Sequence, residues 1–368
     1  MLRICGMMMC LWGSLPGLLA AEPQPGQDAP VYQEHLDLSY YLDQNGQKQP
    51  VKSWKDWQVR RGHILANMQT VMGQVPHPEN PVPLEMKVLK ETDFGPVRRL
   101  KISYHTDDPD QRVMAYLFVP QAATAAHPVP GILCLHQTNS KIGKEEPAGI
   151  RGLPNLKYAL DLAQRGYVTL APDYPSFGEY PYDFKAHPEY RSGTMKAIYD
   201  NMRSIDLLQS LDYVNGDKIG CVGHSLGGHN TMFTAAFDSR IKALVSSCGF
   251  TRFHKYYGGK LKGWTSDRYM PLINSQYQND PDQVPFDFTE IVASFAPRAF
   301  LACAPVSDSN FEVSGVKDVI RIANPIYRLS GHPENLQAVY PEAQHDFPPA
   351  TRETAYQFFD RHLKDENR

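Results

Sequence analysis

The sequence IGCVGHSLGG, residues 219–228, decides the fold of this chain. An apolar run leads into a Gly-x-Ser-x-Gly pattern centred on Ser225, and the residues that follow favour a helix. The glycines two places before and two places after the serine leave room for neighbouring backbone. The pattern therefore predicts a tight strand-to-helix turn that holds Ser225 in a strained conformation and projects its hydroxyl above a sheet as a nucleophile.

A glycine-rich turn between a strand and a helix can also bind the phosphates of a dinucleotide. The glycines of this turn do not follow the Gly-x-Gly-x-x-Gly spacing, and the lysine of a phosphate-binding loop is absent from it. His224 and His229 are five residues apart, so they do not share one helical face as a metal-binding pair would. We interpret both histidines as structural or pocket-lining, and the sequence requires no metal and no cofactor.

A serine hydroxyl needs a histidine to accept its proton. In folds built around this turn, the chain order is serine, acid, histidine, and the histidine follows the last strand. His345 stands between the last predicted strand and the final helix, so it is the predicted base. The competing His332 precedes that strand beside Gly331 and Pro333, which is typical of a surface turn.

The histidine is in turn oriented by a carboxylate, which should follow the strand before the last one. Asp308 is the first carboxylate after that strand and is the predicted acid. Glu312 and Asp318 lie further along, where a helix should begin, and are expected on its solvated face.

Two backbone N–H groups should stabilise the oxyanion that forms when a serine attacks a carbonyl. Leu226, the residue after the nucleophile, supplies the first N–H group. The loop after the third strand, LHQTNS at residues 135–140, makes the N–H group of Gln137 the natural second donor.

The chain around this motif alternates between strands and helices. Predicted strands span residues 131–135, 167–171, 218–222, 243–247, 299–302 and 336–340. Predicted helices span residues 156–165, 191–214, 226–237 and 349–363. Residues 84–92 and 97–119 favour antiparallel edge strands. The alternation predicts an α/β fold with a mostly parallel, twisted central sheet and helices on both faces.

Residues 251–297 interrupt this alternation between two strands, where a lid-like or cap-like insertion would lie. The insertion contains several aromatic residues with polar tips, which suit stacking on a sugar or walling a small acyl pocket. We predict that Trp264 and Tyr269 contact the substrate. Ordinary packing of these rings on the core is the alternative.

The N-terminus carries a predicted signal peptide over residues 1–21, with Arg3 ahead of a short apolar run and Leu19-Ala20-Ala21 as a small-residue cleavage site. A retained membrane anchor is the alternative. Residues 22–83 form a predicted N-terminal extension whose helix, residues 54–72, packs on the main domain, and residues 84–368 form that domain. We therefore expect a secreted or periplasmic protein without integral membrane association after cleavage.

Composition excludes some functions. The 37 Lys and Arg residues against 40 Asp and Glu give a net charge of −3, so no basic surface is available for nucleic acid. Outside the predicted signal peptide, the cysteines lie in short apolar runs, which indicates buried free thiols rather than disulfides. These cysteines are Cys134, Cys221, Cys248 and Cys303.

Taken together, these residues resemble the α/β-hydrolase superfamily over residues 84–363. The stretches LHQT (135–138), GKEEPAG (143–149), APDY (171–174) and QHDFP (344–348) are similar to the acetyl xylan esterase-like and dienelactone-hydrolase-like branch of exported bacterial serine esterases. The resemblance implies a serine carboxylesterase that removes acetyl groups from a small-molecule or carbohydrate ester. True dienelactone hydrolases use a cysteine where Ser225 stands here.

Two other functions stay open from the sequence. A serine peptidase on the same fold usually adds a propeller or a cap, and the chain has neither the length nor the repeats of a propeller. A non-catalytic binding protein that kept the fold would typically lose a member of the triad, whereas every expected position is filled here.

Overall fold

The computed structural model describes residues 29–364, so the predicted signal peptide lies outside the described residues. The strands are β1 (Tyr40–Leu42), β2 (Lys48–Pro50), β3 (Lys87–Phe94), β4 (Val97–Tyr104), β5 (Val113–Pro120), β6 (Val129–Leu135), β7 (Val168–Pro172), β8 (Val214–His224), β9 (Ile241–Ser247), β10 (Ala299–Cys303) and β11 (Leu336–Val339). The α-helices are α1 (Trp54–Met72), α2 (Tyr158–Gln164), α3 (Gly193–Ser210), α4 (Leu226–Phe237), α5 (Leu272–Ser275), α6 (Phe288–Ser294), α7 (Val313–Leu329) and α8 (Pro349–Leu363).

Nine strands form one sheet in the order β11-β10-β9-β8-β6-β7-β5-β4-β3. The strands β6 to β11 pair in parallel, while β3, β4 and β5 continue the sheet as antiparallel strands, as the sequence predicts. The chain leaves β6 for β7 on one side and then returns to β8 on the other side of β6. In open α/β sheets, such a reversal opens a crevice at the carboxyl ends of the strands.

Alternate side chains of each strand point to opposite faces of the sheet, and both faces are buried. In β6, Leu133 and Leu135 pack into the core layer that contains residues of α1, α3, α4 and α7. Ile132 and Cys134 pack into the opposite layer with residues of α2 and α8. The result is the α/β-hydrolase architecture predicted from the sequence, with helices on both faces of the sheet.

Two neighbouring elements depart most from their predicted boundaries. The helix expected to run to residue 214 ends at Ser210, and β8 begins at Val214 rather than at Lys218. Val129 pairs with Val214 ahead of a register shift in β6. This pairing makes residues 214–217 the first part of β8. Because these residues have no apolar pattern of their own, the local sequence could not predict that they form a strand.

Helix α1 has the bounds predicted for it. Ser53 caps its first turn, since its hydroxyl accepts a bond from the amide of Asp56 and the carboxylate of Asp56 accepts one from the amide of Ser53. Arg60, on the buried face of α1, donates to Oε1 of Glu290 in α6 at 2.6 Å, and Nδ1 of His35 lies 2.8 Å from the other oxygen of that carboxylate. These contacts fix the segment before β3 to residues 251–297.

The four cysteines at positions 134, 221, 248 and 303 are free and buried, as predicted. No helix within residues 29–364 is long and apolar enough to cross a membrane.

Candidate active site

Ser225 lies at the turn between β8 and α4, in a backbone conformation with φ of 55° and ψ of −116°. This combination is strained for any residue other than glycine and persists only where surrounding contacts enforce it. One of those contacts is the bond from the amide of Ser225 to the carbonyl oxygen of Ser247 in β9, at 2.8 Å. The predicted turn is therefore present, and α4 begins at the residue after the serine.

The two glycines that flank the turn are required by close backbone contacts. A Cβ atom on Gly223 would lie 2.2 Å from the backbone of Gly227. A Cβ atom on Gly227 would lie 1.9 Å from the carbonyl oxygen of Leu135, at the end of β6. The first turn of α4 consequently lies against the loop that follows β6, at the crevice created by the strand order.

The predicted acid and the predicted base meet directly. Nδ1 of His345 lies 2.9 Å from Oδ2 of Asp308, whose side chain is 1% exposed. The other carboxylate oxygen, Oδ1, accepts bonds from the amides of Asn310 at 2.8 Å and Phe311 at 3.1 Å. Burial alone would raise the pKa of Asp308, but the hydrogen bond and the charge of His345, helped by these amides, lower it. The carboxyl group therefore stays ionised.

The loops that carry these two residues follow β10 and β11, which are neighbours in the sheet. The amide of Val306 donates to the carbonyl oxygen of Pro341 at 3.0 Å, and the amide of Ser307 donates to that of Ala343 at 3.1 Å. Because these bonds join the loops ahead of the two side chains, the spacing between acid and base is fixed by backbone.

His224 connects the acid–base pair to the serine turn. Its ring centre lies 4.9 Å from that of His345, and its Nδ1 is 3.0 Å from the hydroxyl of Ser247. Burial, with a smaller contribution from His345, lowers the pKa of His224 to about 3, so its ring is neutral near neutral pH. The sequence interpretation as structural or pocket-lining thus fits its position, one residue before Ser225 and against the predicted base.

Cys248 is a site neighbour that sequence reasoning treated only as a buried thiol. It adopts a positive φ of 49°, and its thiol donates to the carbonyl oxygen of Asp346 at 3.3 Å. Ligand atoms of His224, Cys248 and His345 lie within 4.8 Å of one another, so this group has the donor chemistry for a soft metal ion. No sequence spacing pointed to it, because the three residues come from the end of β8 and from the loops after β9 and β11.

The loop after β6 is fixed by His136. The amide of Tyr174 donates to Nε2 of this ring at 2.9 Å, so the proton resides on Nδ1, which donates to the carbonyl oxygen of Gln137 at 2.6 Å. The loop that contains the predicted second oxyanion donor is thereby held to the loop after β7, beside the first turn of α4.

A buried ion pair anchors the same two loops, and the sequence analysis did not identify it. Nζ of Lys144 lies 2.5 Å from Oδ2 of Asp173, and both side chains are buried. Cβ atoms on Gly143 and Gly178 would lie 2.1 and 2.2 Å from the carboxylate of Asp173. The stretches GKEEPAG and APDY, which carried the family resemblance, therefore meet in space around this charge pair.

The two predicted substrate-contacting rings have different surroundings. Trp264 is 3% exposed and packs against the rings of His229, Phe253 and Phe288, so its place in the core corresponds to the alternative that the sequence left open. Tyr269 is half-buried, and its hydroxyl lies 3.0 Å from that of Thr138 in the loop after β6. Tyr269 is thus the member of the pair that reaches the crevice.

A strained serine at a strand-to-helix turn, with an acid–histidine pair from the last two strands of the sheet, defines a hydrolase of the α/β-hydrolase class. Residues 155–366, more than half of the chain, match the prolyl oligopeptidase family. The chain belongs to that family.

Individual relatives agree with this class. The chain is 25% identical to YtaP of Bacillus subtilis (strain 168), which is named as a hydrolase, over 309 residues that make up 80% of this chain and 96% of YtaP. A glucuronoyl esterase from Solibacter usitatus superposes with a TM-score of 0.65 at 18% identity, covering 90% of this chain and 98% of that one. A Bacteroides fragilis protein described as an acetyl xylan esterase gives 0.60 at 20% identity, covering 85% and 86%. The two structural likenesses concern the fold.

Proposed function

We propose that this chain is a serine carboxylesterase that forms an acyl-enzyme on Ser225 and removes short acyl groups, acetyl above all, from carbohydrate esters. The observation that carries the proposal is the bond between His345 and the ionised Asp308, beside a serine in the strained turn. Proteins described as a glucuronoyl esterase and as an acetyl xylan esterase are among those with a similar fold, which supports the choice of substrate class.

In the proposed reaction, Oγ of Ser225 attacks the ester carbonyl while Nε2 of His345 accepts the hydroxyl proton. The amides of Leu226 and Gln137 bind the oxyanion of the tetrahedral intermediate. The intermediate collapses by breaking the bond to the alcohol, which leaves with the proton from His345. Water then attacks the acyl-enzyme with His345 again as the base. The carboxylic acid departs as His345 returns the proton to Oγ, which regenerates the hydroxyl of Ser225.

A serine peptidase is the second candidate, because the chain belongs to a family named for an oligopeptidase. It is also 28% identical to dipeptidyl-peptidase 5 of Porphyromonas gingivalis, although over 107 residues that make up only 15% of that relative. Both reactions use the same acyl-enzyme, so the triad does not distinguish them, and the leaving group must be tested.

Labelling with a fluorophosphonate probe tests the nucleophile. We expect the wild-type protein to be labelled and Ser225→Ala to be unlabelled, with ester turnover lowered by about 10⁴ to 10⁶-fold. The exposed Ser275→Ala serves as the matched control and should label like the wild type. A Ser225→Ala protein with more than a tenth of wild-type turnover would exclude Ser225 as the nucleophile. Faster turnover of peptide amides than of matched esters would favour the peptidase.

We further propose that the protein is exported through residues 1–21 and that residues 22–83 are an extension of the hydrolase domain formed by residues 84–368, with residues 251–297 as an insertion beside the site. Export is tested by sequencing the N-terminus of the mature protein. A mature chain that begins after Ala21 supports it, and an uncleaved Met1 contradicts it.

A further inference from the structure

Arg268, within the segment 251–297, brings a positive charge to the loop that follows β7. Its Nε group donates to the hydroxyl of Ser176 at 2.8 Å, and its guanidinium carbon lies 4.8 Å from the centre of the Phe177 ring. Ser176 and Phe177 follow the end of β7, so they lie at the carboxyl edge of the parallel strands. The hydrogen bond and the ring contact together hold the guanidinium group against this loop.

The surroundings of this side chain place it beside the proposed oxyanion donors. Phe177 belongs to a small apolar cluster that also contains Leu226, whose amide is the first of those donors. The next residue in the chain, Tyr269, packs against the same cluster, and its hydroxyl lies 3.0 Å from that of Thr138 in the loop after β6. Arg268 therefore forms part of the wall of the crevice into which Ser225 projects.

The two terminal nitrogens of the guanidinium group, Nη1 and Nη2, are available to a ligand. In the part of the chain that the structure describes, neither nitrogen has a hydrogen-bond acceptor, and Asp267 makes no ion pair with Arg268 although it directly precedes it. Arg268 is half-buried, and neither terminal nitrogen is among the buried polar atoms that lack a partner, so both are open to solvent. A ligand in the crevice can therefore reach them.

The charges near this side chain favour an anionic ligand. Nζ of Lys144 lies 2.5 Å from Oδ2 of Asp173, and Nζ of Lys196 lies 2.5 Å from Oδ1 of Asp200, so these two carboxylates are already paired. Arg268 has no such carboxylate partner. The terminal nitrogens of a guanidinium group offer two parallel N–H groups that match the two oxygens of a carboxylate. Because the side chain is already held in place, binding orders it at little cost in entropy.

We propose that Arg268 binds a carboxylate group on the carbohydrate part of the ester, so that the enzyme prefers acidic carbohydrate esters to neutral ones. The inference rests on the proposed function and deepens it by naming the charge of the substrate. An acetyl group carries no charge, so the carboxylate belongs to the carbohydrate. Since Arg268 contacts neither Ser225 nor His345, it acts on binding, and its loss should raise KM more than it lowers kcat.

Acetylated glucuronic acid and acetylated glucose are a matched pair of substrates, because they differ at C6, where only the first has a carboxylate. We expect Arg268→Gln to lower the ratio of kcat/KM for the acidic ester to that for the neutral one about tenfold, the equivalent of about 1.4 kcal/mol. Arg268→Lys keeps the charge but not the two parallel N–H groups, so its ratio should lie between those of the wild type and Arg268→Gln.

Arg99→Gln is the matched control variant. Arg99 is also half-buried, and its guanidinium carbon lies 4.5 Å from the centre of the Phe94 ring, but it is part of β4, near the antiparallel edge of the sheet. The variant removes the same charge from the protein, so it measures the effect of net charge alone. The ratio of the two kcat/KM values should not change.

A binding measurement separates failure of this carboxylate site from failure of the esterase. In the Ser225→Ala background, an NMR titration should show tighter binding of D-glucuronate than of glucose, and adding Arg268→Gln should weaken glucuronate binding about tenfold. If the wild type hydrolyses neither ester while glucuronate binding still depends on Arg268, the carboxylate site stands and the proposed function is wrong. Normal turnover with an unchanged ratio in Arg268→Gln, or tighter binding of inorganic phosphate than of glucuronate, would overturn the carboxylate site.

Discussion

Asp308→Asn tests the proposed mechanism most sharply, because the structure dictates which way the new amide must face. Oδ1 accepts bonds from the amides of Asn310 and Phe311, so the oxygen of an asparagine side chain must occupy that place. The NH₂ group then takes the position of Oδ2, 2.9 Å from Nδ1 of His345. Because NH₂ only donates, Nδ1 must give up its proton, and the proton moves to Nε2.

This reversed tautomer cannot accept the proton of Ser225. The same carboxylate-to-amide change in a Ser–His–Asp triad lowers kcat about 10⁴-fold with little change in geometry. Four powers of ten correspond to about 5.5 kcal/mol of activation free energy. We expect this loss in kcat for 4-nitrophenyl acetate, measured beside a thermal unfolding curve that stays close to that of the wild type.

Asp318→Asn is the matched control, since Asp318 lies in the partly exposed part of α7 and pairs with Arg252 and Arg321 rather than with a histidine. Its effect on kcat should be less than twofold, because its partners do not take part in proton transfer. A loss of under tenfold for Asp308→Asn, or a larger loss for Asp318→Asn, would refute the assignment of the acid.

Two further predictions concern the segment 251–297 and its attachment. Glu290→Gln should lower the free energy of unfolding by about 3–5 kcal/mol in denaturant titrations, since it leaves Arg60 buried without a counter-charge. Glu91→Gln, which breaks an exposed ion pair, is the control and should change the free energy of unfolding by under about 1 kcal/mol. Burial opposes ionisation of Glu290, but His35 and Arg60 lower its pKa. The carboxylate therefore contributes to the free energy of unfolding above its unfolded-state pKa, and this contribution is lost as the pH falls through its folded-state pKa. A wild-type protein whose free energy of unfolding decreases no more steeply at acid pH than that of Glu290→Gln would contradict this. Tyr269→Ala should raise KM for acetylated oligosaccharides more than for 4-nitrophenyl acetate, and equal KM increases for both substrates would show that Tyr269 does not contact the carbohydrate. Trp264→Ala should mainly lower the free energy of unfolding, by about 3–5 kcal/mol, because its ring is buried in the core.

The alternation of strands and helices along the chain, and the loops that carry the predicted acid and base, could be predicted because consecutive residues carry their signals. The turn at residues 219–228 needs its glycines for close backbone contacts that a side chain would block. A short stretch of consecutive residues is therefore enough to predict the turn. Asp308 and His345 are found by counting strands, because parallel neighbours deliver their following loops to one edge of the sheet. The hydrogen bond between the two side chains follows from that placement.

The polar contacts that fix the loops could not be predicted, because each joins residues far apart in the chain. The local sequence does not distinguish Lys144 and Lys196 from surface lysines, yet both are fully buried against carboxylates from other segments. A buried charge is tolerated only when paired, so each lysine marks a place where two loops must stay in register. Lys144 does this beside the predicted oxyanion donor, and Lys196 does it between α3 and the loop that contains Asp107. The loops beside the proposed site are therefore held by long-range charge pairs, while the turn that carries Ser225 is held by close backbone contacts.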